Sequence, residues 1–206
     1  MQTIAPDFDR MIDLPGVGPC PRPVDIDQSV TGFADLVSLR IYSFAGQAPI
    51  EGEAEDDEVL IVLLDGAAAI AVSGAQEARF ELTVTGTRAI YLPPDHHYRL
   101  LPQGKADVAY ARAKPRAVKA PQGFAAGRDG LVVEDYADRL QMRLVDGSGV
   151  AVQTRAGSRT ERLVHALGTN AAGGPEELAP WHTLALSKGE THTLASPGHV
   201  LIVAAT

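Results

Sequence analysis

This chain reads as an all-β protein, a small antiparallel barrel or jelly roll written twice. Three observations predict it. Between Glu58 and Tyr110, short β-forming runs alternate with Gly, Pro and Asp punctuation, and no helical period of useful length fits. The 206 residues include 20 Gly and 14 Pro, with 45% hydrophobic and only 5% aromatic residues, so Val, Leu, Ile and Ala must fill a core cut by many turns. A looser set of strand-like runs then returns from Leu131 to the end, as an internal duplication with a degenerate second half would.

Four segments follow in order: an arm over 1–34, a first unit over 35–115, a linker over 116–130 and a degenerate second unit over 131–206. The arm carries Pro15, Pro19, Pro21 and Pro23, and is expected along a barrel edge or on a neighbouring subunit. Leu36 to Phe44 is a strand with Leu36, Ser38, Arg40, Tyr42 and Phe44 on one face. Gly46 to Asp57 is expected as a solvated acidic loop, with Glu51, Glu53, Glu55, Asp56 and Asp57 repelling one another. Val59 to Leu64 is apolar throughout, as in a strand covered on both sides. Asp65-Gly66 is a hairpin signal. Phe80, Leu82 and Val84 alternate with polar residues, Pro93 and Pro94 end the strand Ala89 to Leu92, and Val108 and Tyr110 close the unit. Beyond the linker, Leu131 to Glu134, Leu140 to Val145, Val150 to Arg155 and Arg162 to Leu167 read as strands, and Gly168 to Pro180 as a turn-rich segment. The end reads as a hairpin around Lys188-Gly189, which would place His182 and His192 across from each other on opposite faces, and a further strand from His199.

A formal charge of -8 and the lack of a basic stripe argue against a nucleic-acid partner. The single cysteine, Cys20, excludes an internal disulfide framework. Gly16 and Gly18 do not follow a strand and are followed by Pro19 and Pro21, so they are no dinucleotide fingerprint. No run is long enough for a membrane span, and the start, Met1-Gln-Thr-Ile-Ala-Pro-Asp7, lacks a basic leader with an apolar core. A cytoplasmic protein is expected.

The segments Glu58-Val-Leu-Ile-Val-Leu-Leu-Asp-Gly66, Gly86-Thr-Arg-Ala-Ile-Tyr-Leu-Pro-Pro-Asp95 and Ala106-Asp-Val-Ala-Tyr-Ala-Arg-Ala113 resemble the cupin superfamily, and within it the 5-deoxy-glucuronate isomerase and uronate isomerase family. The resemblance implies a double-stranded β-helix in two cupin units, an acidic sugar as substrate, and a divalent metal such as Zn, Mn, Fe or Ni. The chain departs from the usual cupin motifs: no His precedes His96, Asp95 stands where Gly is usual, Tyr98 takes the usual His place, and no His-x-His-Asp segment occurs. Gly189-Glu-Thr-His192 keeps part of the second motif.

A first-row metal needs three or four convergent ligands, usually His with a carboxylate. His192 with His96 or His97 are the first candidates, and strand alternation lets only one of the adjacent pair face inward. Glu58, at the head of an apolar strand, is the candidate general base for aldose-ketose proton transfer. Arg88 and Arg99 are candidates for a sugar carboxylate, Tyr98 for a hydroxyl and Trp181 for stacking. Two functions follow: isomerisation of a uronate-type sugar, or a non-catalytic, metal-free cupin that binds a small ligand or serves assembly. In either case a homodimer or larger oligomer is expected.

Overall fold

The apolar run Val59–Leu64 lies in a strand with a core on each face. Val59, Ile61 and Leu63 point into a cluster with Phe44, Ile70, Leu82, Leu92 and Val108. Leu60 and Val62 point the other way, into a cluster with Ile41, Tyr91, Ala109, Met142, Leu163 and Leu201. Successive side chains alternate by two along a strand, so only a sheet covered on both sides needs every position apolar.

The computed structural model describes residues 1–127, 130–146, 152–155, 159–167, 178–194 and 199–206. In chain order its elements are β1 (Gln2–Ile4), β2 (Met11–Leu14), β3 (Gly18–Pro21), β4 (Val24–Asp27), α1 (Gln28–Thr31), β5 (Leu36–Phe44), β6 (Ile50–Glu53), β7 (Glu58–Ser73), β8 (Ala78–Thr83), β9 (Thr87–Leu92), β10 (His97–Ala113), β11 (Gln122–Ala125), β12 (Leu131–Val133), β13 (Leu140–Asp146), β14 (Val152–Arg155), β15 (Glu161–Leu167), β16 (Thr183–Leu186), β17 (Thr191–Leu194) and β18 (His199–Ala205). The strands build an eight-stranded sheet in the order β11-β9-β8-β7-β10-β5-β4, with β6 also on β10, and a six-stranded sheet in the order β1-β16-β15-β18-β13-β12. Two-stranded ribbons β2-β3 and β14-β17 complete them. This helix-poor arrangement is a jelly-roll fold, as the strand pattern predicts.

Three apolar clusters hold it. One fills the eight-stranded sheet, one lies between the sheets, and a third gathers Val164, Ala166, Leu184, Leu186, Leu194, Val200 and Ile202 in the second half. The strand β18 repeats the logic of Val59–Leu64: Leu201, Val203 and Ala205 face the cluster between the sheets, while Val200 and Ile202 face the third.

Several local expectations change. Asp65-Gly66 does not turn the chain; β7 runs through it as one strand, with the pairing to β10 shifting register between Asp107 and Val108 and again between Pro102 and Ala106. Gly66, at φ 85°, makes a bulge there. The acidic segment is not all solvated loop: Ile50–Glu53 pairs with β10, and Asp57 is buried against Arg112 and Lys114. Lys188-Gly189 does form a turn, but it carries the chain from one sheet to another, since β16 pairs with β15 and β1 while β17 pairs with β14. His182 and His192 are therefore not cross-strand partners. Of the turn-rich segment Gly168 to Pro180, residues 168–177 lie outside the described residues.

The arm covers edges within its own chain. Its β1 adds to the edge of the second sheet, with Gln2 opposite Ala185, and its β4 adds to the edge of the first, with Val24 opposite Ile41. The Met1 ammonium also pairs with Glu190.

Candidate functional site

The interior of the first sheet system carries Tyr98, the residue at the usual His place of a cupin motif. Arg40 and Tyr42 on β5 point inward, as do Tyr98, Tyr110 and Arg112 on β10, around a cavity of about 60 Å³ that Glu53 and Val59 also line. The Tyr98 and Tyr110 rings lie 5.8 Å apart, and Tyr42 meets Tyr110 edge-on at 5.4 Å. Gly52, opposite Tyr98 on β6, leaves room for that ring: a Cβ there would come within 2.5 Å of it. Burial first, then the neighbouring Tyr42, pushes the Tyr98 phenol up to about 12, and burial raises Tyr110 as well, so both are protonated at neutral pH. The arginines are already engaged. Arg40 Nε reaches Asp25 at 3.1 Å, and Arg112 pairs with Asp57 at 3.3 Å while donating to the Glu53 carbonyl at 2.9 Å. A cavity of that size holds roughly one or two waters. Tyr98, placed inward as its motif position implies, packs rather than opens a substrate chamber.

The adjacent histidines differ in burial, but His96 precedes the strand, so alternation along β10 does not decide the matter. His96 is buried in the turn before β10; its Nδ1 lies 2.8 Å from the Pro94 carbonyl, and its Nε2 accepts from the Gln76 N–H at 3.4 Å. Gly74 packs so close that a Cβ would strike the His96 ring at 2.7 Å. This histidine locks two loops together. His97 is exposed beside Glu53 at 3.5 Å, and Arg99 is exposed beside Glu51 at 3.9 Å, both on the outer face of the sheet. Asp95 adopts φ 57°, so it takes the left-handed conformation that Gly usually supplies. His192 sits on β17 opposite Thr154.

Glu58 is fully buried, but it acts on backbone. Its Oε2 accepts from the Asp138 N–H at 2.9 Å, and its Oε1 from the Arg139 and Leu140 N–H groups at 2.7 Å each. Those donors stand at the start of β13. Glu161, which the sequence reading did not single out, does the same in reverse. Its carboxylate accepts from the N–H groups of Ala34, Asp35 and Leu36, at 2.7, 2.7 and 2.9 Å, at the start of β5. Each half thus supplies a buried carboxylate that holds the start of a strand in the other. With three donors on its two oxygens, Glu58 is poorly placed to take a proton from a substrate.

Arg88 and Trp181 do come together. They line a pocket of about 300 Å³ between the sheets with Leu64, Asp65, Asp107, Leu144, Leu167 and His199. Arg88, on β9, reaches across to β7 and donates to the Leu63 and Leu64 carbonyls at 3.1 and 3.0 Å. Burial lowers its pKa, partly offset by the nearby Asp65. Asp107, only 9% exposed, stands opposite the exposed Asp65 across the β7–β10 pair, and its Oδ1 has no hydrogen-bond partner among the described residues. Trp181 adopts φ 64°, an uncommon conformation for a bulky residue, and packs edge-on against both His165 at 5.6 Å and Phe8 of the arm at 5.9 Å. Asp107 had a legible signal, as a lone acid in the apolar Ala106-Asp-Val-Ala-Tyr110 strand. Asp65 was hidden by its place in a turn-like dipeptide.

The cupin fold implies a metal, so the donor set matters. All six histidines lie among the described residues, yet among those residues no group of three His, Cys, Asp or Glu side chains converges to hold a metal ion. His96, His97 and His192 do not form such a set, and the residues present do not fit the metal.

Comparison with known proteins places this architecture. The model of the KduI/IolB family matches residues 22–146. No curated protein matches the chain in sequence. Among solved structures, Ylba from Escherichia coli is similar over 99% of this chain and 90% of its own, with a TM-score of 0.73 at 10% identity. An IolB-like protein from Salmonella typhimurium is similar over 90% of this chain and 89% of its own, with a TM-score of 0.66 at 14% identity. The bacterial pirin YhhW from Escherichia coli, solved in complex with nickel(II), gives a TM-score of 0.63 at 10% identity over 99% and 98% of the two chains. At these identities the likeness is one of fold. The family match spans more than half of the chain and takes in the whole of the strand set from β5 to β10, so this protein is a cupin that belongs to the KduI/IolB family.

Proposed function

We propose that this chain is a cupin that binds a small molecule without a metal, in the pocket between its two sheets, and that it does not catalyse isomerisation. One observation carries the reading. The interior of the first sheet system is packed with Tyr42, Tyr98 and Tyr110, whereas a roomier pocket lies between the sheets and gathers Arg88, Trp181, Asp65 and Asp107. A concave pocket with apolar walls and a few charged groups is the usual form of a ligand site.

Family membership supports a second reading, aldose-ketose isomerisation of an acidic sugar. That chemistry needs a base to move a proton between adjacent carbons, or a metal to hold two oxygens. The three backbone donors on Glu58 weigh against the base.

Metal analysis of protein purified without added metal, together with assays for ketose formation from glucuronate and galacturonate in the presence of Zn, Mn or Ni, tests the choice. The expected result is far less than one equivalent of metal and no ketose above background. One equivalent per chain, lost in His192→Ala together with turnover, would establish the isomerase instead.

A further inference from the structure

We propose that the pocket between the sheets is shaped for a dipolar ligand, a small molecule that carries an ammonium and a carboxylate at either end of a short apolar stem. This rests on the pocket being a ligand site and adds the chemistry of what fills it.

The pocket holds charges of both signs that no described residue pairs. Arg88 donates only to two neutral carbonyls, and among the described residues no carboxylate lies within ion-pair distance of it. On the other side, the exposed Asp65 and the buried Asp107 stand at opposed register positions on adjacent strands, and neither makes an ion pair among the described residues. Like charges directly opposite in a sheet are destabilising, and a buried acceptor without a donor adds to the cost. Such an arrangement weakens the free protein, and a ligand that brings a positive group to the two carboxylates relieves it.

The balance of charge narrows the ligand further. Two carboxylates against one guanidinium repel a simple anion. A simple amine would satisfy the carboxylates and leave Arg88 facing apolar walls. A hard cation needs six or more oxygen ligands, and no cluster of three acidic, His or Cys groups exists among the described residues. A dipolar molecule answers both ends at once. Trp181 offers its indole to the ammonium or the stem, and Leu64, Leu144 and Leu167 supply the apolar wall. About 300 Å³ accommodates such a molecule of roughly ten non-hydrogen atoms, at about 30 Å³ for each water-sized group.

The test uses three probes of matched length: 4-aminobutanoate, n-butylamine and butanoate. Trp181 is the only tryptophan, so its fluorescence reports the pocket directly. The expected result is that 4-aminobutanoate binds at least tenfold more tightly than either single-charge probe. Arg88→Gln should reduce it to the level of n-butylamine, and Asp107→Asn to the level of butanoate. Asp107→Asn should also raise the melting temperature of the ligand-free protein, because it removes the cross-strand repulsion. If either single-charge probe binds as tightly as 4-aminobutanoate, the dipolar ligand is overturned while the pocket remains a ligand site. A lack of fluorescence response to all three probes overturns the pocket as well. An Asp107→Asn variant that binds 4-aminobutanoate unchanged, or melts below the parent, makes Asp107 a structural residue and overturns the proposal.

Discussion

His165 is fully buried on β15, with Nδ1 2.9 Å from Thr183 Oγ1 and Nε2 without a partner. Burial first, and the nearby His182 second, push its pKa down to about 3. The folded state therefore keeps the ring neutral where the unfolded chain, with an ordinary His pKa near 6.5, would take up a proton. Stability from this site is complete above about pH 6.5 and is lost as pH falls from there toward 3, because the unfolded state binds more protons in that window. The full loss amounts to a few kcal/mol, on the order of 1.4 kcal/mol per pH unit. The melting temperature should fall between pH 6.5 and 4 in the parent and flatten in His165→Gln, which cannot protonate. Parallel profiles for the two proteins would show that another group controls the acid response. The sequence offered no way to single out this ring over the other five. Its neutrality comes from β16 and Trp181 closing over it, and those contacts are distant in the chain.

At the scale of elements, the long pair β7–β10 sets the shape of the first half. It depends on two glycines that the same conformational rule would seem to make equivalent. Gly66 has φ 85° and Gly104 has φ 97°. A Cβ on Gly66 would meet the Lys105 carbonyl oxygen at 2.1 Å, while a Cβ on Gly104 meets nothing within 4 Å. Gly104→Ala should then cost only the backbone strain, about 1–2 kcal/mol. Gly66→Ala adds a clash with backbone on the neighbouring strand, for a total of about 3–5 kcal/mol. Urea denaturation measures both, and equal losses would mean that the bulge gives way without disturbing the pair. The same two strands show the reach of a sequence reading. Asp65-Gly66 demands a positive φ, which a tight turn and a bulge both supply, so only the partner strand distinguishes them. Lys188-Gly189 was correctly read as a turn, but which sheet the chain enters afterwards depends on β14 and β15. By contrast, the bounds of Leu36–Phe44 and the two-sided burial of the unbroken apolar run from Val59 were legible in local sequence, although Leu36, paired with Ala113 past a register shift, packs with Leu39 and Ile41 and not on the expected face with Tyr42 and Phe44.

For the whole molecule, the question is whether the two halves fold as one. The sequence pattern did not reveal how the two sheets are joined, because Glu58 and Glu161 act on N–H groups in the other half. Arg88 and Trp181 likewise belong to different halves, so the pocket exists only when the halves dock. Each buried glutamate accepts from three backbone donors, and hydrogen bonds to a charged acceptor are worth about 1.5–3 kcal/mol each where partners would otherwise be left unpaired. Glutamine keeps the shape but turns one acceptor into a donor that faces an N–H. Glu58→Gln and Glu161→Gln should each lower stability by about 2–4 kcal/mol, in a single cooperative transition that fluorescence of Trp181 and far-UV circular dichroism report together. The two substitutions disrupt the same docking from opposite ends, so their effects should be less than additive, with a coupling of about 1–3 kcal/mol. If the halves were independent units joined by a linker, Glu161→Gln would shift a transition seen by Trp181 and leave the rest of the chain folded. The double variant would then lose the plain sum of the two single losses. Coincident transitions with a clear coupling would instead make the reciprocal carboxylates the joint that turns two repeated sheets into one folding unit, and would explain why a chain that has given up the usual cupin ligands still keeps a glutamate at the head of each central strand.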